Sequence, residues 1–430
     1  MAQTVGTIRV SRFYDPEDGV NLQPAFQAAT DAAAREGAGR IVNDLPIRRG
    51  EMWCPVRRSS GGRATDGIPL VVREPVEIDF AGLEITLKGP GGGRREQIVR
   101  GIKGPWLGGW LYVAGHPRFD RIVIANVTVD GGFAGPFDAN GRANLTDKGF
   151  RIQDTPVREV LMSRVELRNF GGEIYYIGGH GPDWQTIEDC HFHGSPQCAF
   201  NPGGTGRLSA RGLQAGRAYQ AAEIVGGKGH TYEGGRFYDA GKGGVTVFGG
   251  PSPGFRVGIP YYIASWDGRG EKPWVTFAGT RFDNCWAVRL GSWMRGRIAT
   301  IDTVVGLALE VGHARDIDLA IDSTCDRTNN VEAVSLNGPF DANERVRGHA
   351  AMRMMPPSDI AIDVTCRRSP AARAAGRAHS CGIRLFGGRV DAASLDLVVR
   401  GEARAATRID PRKAPGFVAP DVRAEGFTPV

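Results

Sequence analysis

No apolar run in this chain approaches the roughly 18 residues that a membrane-spanning helix needs. The stretch 304–311 is broken by Gly306 and Glu310. No membrane partner is therefore expected. The seven cysteines (54, 190, 198, 285, 325, 366 and 381) show no CxxC or other metal-ligand spacing, and their odd number leaves at least one outside any disulfide. Cys190 falls in a strand phrase, where a thiol packs as a small apolar group. Lysine and arginine (53 against 47 acidic residues, net +6) form no run, and no nucleic-acid motif accompanies them. Nucleic acid is not expected as a partner. The opening MAQTV carries no basic-plus-apolar signal region. Long amphipathic stretches, which helical repeats of about 33–34 residues require, are missing too.

What the chain does have is glycine and proline, 62 and 26 in 430 residues, and a short phrase that returns. The phrase is an apolar–x–apolar strand running into glycines: FRIQD at 150–154, IYYIGG at 174–179, AFNPGG at 199–204, EIVGG at 223–227 and VTVFGG at 245–250. Taking Ile152, Tyr176, Phe200, Ile224 and Val247 as the inward residues gives steps of 24, 24, 24 and 23. Such a period means stacked units, none of which buries its apolar edge alone. Short β phrases with glycine turns at this period predict the turns of a parallel β-helix.

A second phrase runs in phase with the first and ends at Val129, Leu167, Phe192, Phe237 and Phe282. A third apolar position precedes it at Leu161, Ile187, Tyr232, Phe277, Ile298, Ile317 and Ile360. Three strands per turn predict a triangular coil, with one side chain in and the next out. The step from Val129 to Leu167 is 38 instead of 24, so that turn carries roughly 14 extra residues, placed in the glycine-rich stretch 133–147.

The N-terminal segment 1–50 carries a family resemblance. FYDPEDGVNLQPAFQAATDAAAREGAGRIVNDLP resembles the opening of pectate-lyase-like proteins, including polygalacturonases and polysaccharide lyases: an Asp–Gly turn, an alanine-rich helix, glycines, then a strand ending in Leu-Pro. The resemblance implies an all-β, right-handed parallel β-helix, a solenoid with an N-terminal capping α-helix. The expected plan is a capping segment over 1–50, the β-helix over 51–400 and an irregular tail over 401–430. Asn21 is the expected N-cap of a helix over 20–36, Pro24 sits in its tolerant first turn, and Gly37 or Gly39 stops it. Phe26, Ala29 and Ala33 form its apolar stripe. Laid across an open coil end, such a helix covers unpaired strand edges. Polygalacturonases keep acids before the glycine strand in a pattern like NTDG, DD, GHG and RxK. Here Asp147 lies in TDKG and the acidic pair is reduced to Glu173. Gly179–His180–Gly181 follows the strand instead of preceding it, and no RxK follows.

Aligned by phase, the turns before each glycine strand carry Asp147 and Lys148, Glu173, His193, Arg217 and Tyr219, then Tyr238, Asp239 and Lys242, and finally Asp283 and Asn284. The outward positions just ahead are Glu166, His191, Arg236 and Arg281. Adjacent coils lie about 4.8 Å apart, so residues one coil apart can share a substrate. The candidate catalytic residues are Glu173, His193, Tyr238, Asp239 and Lys242. The candidate substrate-binding residues are Asp147, Tyr219, Arg236, Arg281 and Asp283, with Asp267 and Arg269 of the loop SWDGRGEK as a fallback site. Trp184, Trp266, Trp286 and Trp293 offer faces for sugar rings.

A mildly basic groove favours a polyanion, and an acidic polysaccharide suits a β-helix. The leading expectation is a lyase that acts by β-elimination on a uronic-acid glycan, with His193 or Lys242 as base, Tyr238 or a water serving the leaving oxygen, and Arg236 with Arg281 on the carboxylate. Two alternatives stand beside it. One is a glycoside hydrolase using Glu173 with Asp147, or Asp239 with Asp283, at the separations of about 5–5.5 Å or about 6.5–9.5 Å that hydrolysis requires. The other is a non-catalytic carbohydrate-binding or phage tailspike-like protein. No cofactor and no metal set is expected, a calcium ion being admitted only under the lyase reading. Homo-oligomerisation stays open. The expected location is secreted or periplasmic, with a phage particle as the alternative.

Overall fold

The computed structural model describes residues 6–55, 67–94, 109–114, 119–135, 147–153, 155–178, 181–203, 206–225, 228–248, 272–291, 293–307, 315–328, 332–336, 358–385, 394–409 and 419–430. Two compact units, Met1–Ala222 and Glu223–Val430, divide the chain. The fold is nearly all-β. Among the described residues the α-helices are Gln23–Glu36 and Pro370–Ala374, and neither is long and apolar enough to cross a membrane.

In the first unit the helix Gln23–Glu36 ends where Gly37 enters the left-handed region at φ 65°. Leu22, not Asn21, is its N-cap. Asn21 stands one residue outside, and its Oδ1 accepts the N–H groups of Gln23 (3.3 Å) and Trp53 (3.1 Å). The residue thus ties the helix start to the strand Arg49–Trp53. Phe26 is buried as expected and stacks on Phe80 at 5.0 Å, which in turn meets Trp110 at 5.5 Å. Gln27 donates from Nε2 to Val71 O (3.2 Å) and accepts the Val71 N–H at Oε1 (2.9 Å). A helix side chain thereby completes hydrogen bonds that the strand Leu70–Val72 would otherwise leave open.

Three parallel ladders build the rest of this unit. The first joins Leu70–Val72, Leu111–Val113, Phe150–Gln153, Tyr175–Gly178 and the end of His191–Asn201. The second joins the first half of Val157–Arg168 to Trp184–Glu188 and Arg207–Arg211. The third aligns Val129, Leu167, Phe192 and Ala215. Corners between ladders need left-handed backbone. One corner uses Ala81, Asn126, Arg164 and Asp189 (φ 55°, 58°, 55° and 50°), another Asn169, Gly194 and Arg217 (φ 60°, 84° and 45°). Side chains that bond locally lower the cost of this conformation: Asn126 Nδ2 donates to Asp79 Oδ1 at 2.8 Å, and Arg164 Nε donates to Asn126 Oδ1 at 2.7 Å.

The predicted inward ladder needs a correction of one position. Phe150, Tyr175 and Phe200 are the register partners, and Ile152 pairs with Ile177. Tyr175 is wholly buried, so Tyr176 points outward. Likewise Val160 and Met162 face the core, and Leu161 does not. The reason lies in the string Ile174–Tyr175–Tyr176–Ile177: with apolar residues at both parities, alternation cannot choose a face. Rings of Phe150, Tyr175 and Phe200 then stack at 5.4 and 5.2 Å. The buried Tyr175 hydroxyl donates to Gln185 Oε1 (2.8 Å), and Gln185 Nε2 donates to Pro202 O (2.6 Å).

The second unit repeats the plan. Tyr232 pairs with Phe277 and Phe237 with Phe282, their rings 5.6 and 5.4 Å apart. Val288, Val305, Val334 and Ile383 follow one another along a ladder. The segment 401–430, expected to be irregular, carries the strands Thr407–Ile409 and Arg423–Pro429, which pair in parallel with Ile383–Leu385 and Leu395–Ala403. All seven cysteines are buried, and none forms a disulfide. Burial pushes the thiols of Cys190, Cys285 and Cys366 up to about 12, which keeps them protonated and chemically quiet.

Candidate functional site

Correcting the register turns one face of the first ladder into a polar and aromatic row. Tyr112, Arg151, Tyr176 and Asn201 are successive register partners, each about 4.8 Å from the next along the stack. The Arg151 guanidinium lies 4.8 Å from the Tyr112 ring centroid, and its Nε donates to Gln153 Oε1 at 3.1 Å. Lys148 precedes the strand and sets its Nζ 3.2 Å from the Tyr176 ring centroid. The same ammonium is paired with Glu173, one coil on. Asn201 Nδ2 donates to the other oxygen of Glu173 at 3.1 Å. Lys148 and Glu173 are both nearly closed to solvent. Burial pulls the Lys148 ammonium below its ordinary range, and Glu173 opposes that pull.

Glu173 thus stands in the expected turn, but Asp147 does not face a substrate. It is 1 % exposed. Its Oδ2 accepts the Gly171 N–H at 2.6 Å and its carbonyl accepts the Gly172 N–H at 3.1 Å. Asp147 therefore fixes a corner, its carboxylate and its carbonyl each taking one backbone N–H. Tyr176 and Arg151 were not among the expected site residues. The signal that finds them is the step Phe150–Tyr175–Phe200, which turns Tyr176 outward.

A second cluster in this unit surrounds His193. His191 and His193 lie on the same strand, His191–Asn201, with rings stacked 4.0 Å apart. Glu166 is the register partner of His191 one coil back. His193 Nε2 lies 2.9 Å from Glu166 Oε1, and Arg168 Nη1 lies 3.5 Å from the same oxygen. The His193 hydrogen bond holds the Glu166 carboxyl below the usual carboxylate range, against the effect of burial. Arg168 also meets Asp130 at 3.0 Å. Tyr219 lies half-buried farther along, on Gln214–Val225.

The remaining expected residues belong to the second unit. Asp283, 3 % exposed, sits between two arginines: Arg236 Nε is 2.5 Å from one oxygen and Arg281 Nε 2.6 Å from the other. The Arg236 guanidinium lies 4.7 Å from the Tyr238 ring centroid. Asp239 is an exposed corner residue at φ 46°, and its Oδ1 accepts from Asn284 Nδ2 at 2.8 Å. Arg236 and Arg281 thus stand side by side, with Asp283 as their counter-charge and not a free acid. Lys242 lies on the strand Arg236–Phe248, its side chain outside the described residues. Asp267 and Arg269 also lie outside them. Of the two carboxylate pairs expected for hydrolysis, one loses Asp147 to a backbone corner and the other has Asp283 held by two guanidiniums. Among the aromatic candidates, Trp184 and Trp286 are exposed, with Arg207 and Arg289 over their rings at 5.5 and 4.9 Å, whereas Trp293 is buried in the core.

No protein-family model and no curated protein sequence matches this chain. Solved structures do. The A-module of the Azotobacter vinelandii mannuronan C-5 epimerase AlgE6 superposes with a TM-score of 0.55 at 14 % identity, over 98 % of this chain and 99 % of that one. The A-module of the mannuronan C-5 epimerase AlgE4 from the same organism follows at 0.47 and 15 % identity, over 98 % and 99 %. A mutant tailspike protein of E. coli bacteriophage HK620, in complex with pentasaccharide, gives 0.42 and 13 %, over 98 % of this chain and 66 % of that one. The chain thus resembles right-handed parallel β-helix proteins in fold, over nearly the whole of its length.

Proposed function

We propose that this protein acts on an acidic polysaccharide and cleaves it by β-elimination, on ladders that form a right-handed solenoid whose first coil is covered by the helix Gln23–Glu36. The observation that carries the reading is Tyr176, set in register between Arg151 and Asn201 with the Lys148 ammonium against its ring. Elimination next to a uronate needs a cation on the C6 carboxylate, a base for the C5 proton, and a proton for the departing oxygen. Arg151 supplies the cation. Lys148 sets its ammonium against the Tyr176 ring, and Tyr176 is the base in the proposed reaction. Tyr176 takes the C5 proton, the C4–C5 double bond forms, the C4–O bond breaks, and the proton passes to the leaving oxygen. Tyr176 thereby fills the role expected of His193 or Lys242. Glu173 holds Lys148, and Asn201 holds Glu173. The named reaction of the mannuronan C-5 epimerase lies on a polysaccharide of this class, which supports the choice of substrate. Export from the cell, or carriage on a phage particle, fits an enzyme of such polymers.

Incubation with a panel of uronic-acid polymers tests this. Elimination yields an unsaturated product with new ultraviolet absorbance, and Tyr176→Phe should slow its formation by about 10²-fold or more with unchanged thermal stability. New reducing ends without that absorbance would establish hydrolysis instead. Altered C5 configuration in polymers of full length would retain the proton abstraction and remove the elimination. Unchanged rates in a folded Tyr176→Phe protein would move the site elsewhere.

A further inference from the structure

The cluster Glu166, His191 and His193 lies outside the Tyr176 row, and the reaction proposed there does not use it. Its three donors come from two adjacent strands. Alternation puts His191 and His193 on the same side of one strand, and parallel register puts Glu166 beside His191. The ligand atoms all lie within 4.8 Å of one another, and all three side chains are partly exposed. Three donors around a tetrahedral ion at about 2.1 Å stand about 3.4 Å apart. The farthest pair therefore has about 1.4 Å or less to close, a distance that side-chain rotation would supply.

We infer that Glu166, His191 and His193 form a binding site for a divalent transition-metal ion, zinc being the probe that fits. Two imidazole nitrogens and one carboxylate oxygen suit zinc, cobalt(II) or nickel(II), whereas calcium and magnesium take all-oxygen shells. Three protein ligands leave a coordination position for water or a substrate oxygen. The surroundings orient the carboxylate: Thr128 Oγ1 lies 3.4 Å from Glu166 Oε2, and Arg168 reaches Oε1 from the other side. Outer-shell bonds of this kind fix a ligand's direction. Arg168 is a cation near the site, but Asp130 shares its charge at 3.0 Å. The site needs no change at Lys148, Tyr176 or Arg151, so it stands or falls apart from the polysaccharide reading.

The test uses the full chain, stripped with a chelator and titrated with zinc while bound metal is counted, and with cobalt(II) while its visible absorption is followed. One ion per chain should bind, and an excess of calcium should not displace it. His191→Phe, which keeps a stacked ring, and His193→Ala should each weaken binding by at least about 10²-fold. Glu166→Gln, which keeps shape and removes charge, should weaken it by at least about 10-fold. Circular dichroism and melting temperature serve to confirm that each variant is folded. Failure of the wild-type chain to take up zinc at micromolar concentration would overturn the assignment. So would folded histidine variants that bind as tightly as wild type.

Discussion

Two outward surfaces made on the same kind of ladder differ in what their cations meet. In the second unit, Asp322 receives Arg297 at 2.6 Å and Arg367 at 3.5 Å, and Glu402 receives Arg368 at 2.9 Å and Arg373 at 3.3 Å. Arg400 reaches both Asp363 and Glu425, at 3.1 and 2.6 Å. There, arginines and acids answer one another in small networks. In the first unit the row Tyr112–Arg151–Tyr176–Asn201 sets its arginine among aromatic and amide groups, and the acid of the cluster, Glu173, is taken up by Lys148. A parallel ladder gives side chains a fixed spacing and no chemistry of its own. Chemistry begins where the alternation of opposite charges is interrupted.

The comparison can be broken first through the core that aligns the first row. Phe200 is wholly buried against Tyr175 and Phe192, so Phe200→Ala should cost about 3–5 kcal/mol in chemical denaturation and abolish turnover with it. A next effect concerns the second unit alone. His379 is buried, its Nε2 lies 3.0 Å from Ser323 Oγ, and burial pulls its pKa down to about 4. The unfolded chain takes up this proton near pH 6.5 and the folded chain only near pH 4, so stability should fall as pH drops through that window, by on the order of 3 kcal/mol. Melting temperatures at pH 7 and pH 5 should show part of this loss in the wild type and a smaller one in His379→Gln. An equal loss in both would place the pH dependence on other groups.

The smallest effects sharpen the contrast most. Arg151→Ala should lower turnover about as much as Tyr176→Phe, about 10²-fold, and leave melting nearly unchanged. Asp322→Ala removes the centre of an exposed network, and should cost within about 1 kcal/mol and leave turnover alone. A reversal of the two results would make the Arg151 row scaffold and the Asp322 network the working surface.

Much of the coil geometry was legible in the sequence where the two faces of a strand differ chemically. In RVELRN and DCHFHG the inward Leu167 and Phe192 alternate with charged or imidazole neighbours, and both fall in register as read. In IYYI both parities are apolar, and that is where the reading slipped by one position. His193, Arg236 and Arg281 were legible as outward positions, and Glu173 stands in the expected turn but is buried there. What each one bonds was not, because that depends on neighbours one coil away at unequal sequence distances. Asp283 reads as a free acid until Arg236 and Arg281 are seen on its two oxygens. The acid that meets His191 and His193 is Glu166, a whole coil before its register partner His191, and not Glu188 or Asp189 close by in the sequence, so spacing along the chain could not pick it.

Val129 and Leu167 remain direct partners although the chain between them is much longer than the chain from Leu167 to Phe192, the next pair in the same ladder. A ladder that keeps its register across such unequal lengths treats the intervening sequence as cargo. The length of one turn can change while every neighbouring turn keeps its place, so new sequence is accommodated locally. For an engineer, the glycine-rich stretch after Val129 and ahead of Asp147 is a natural docking port: an epitope, a dye-labelling tag or a small reporter could be written into it, and the row Tyr112–Arg151–Tyr176–Asn201 would keep its spacing.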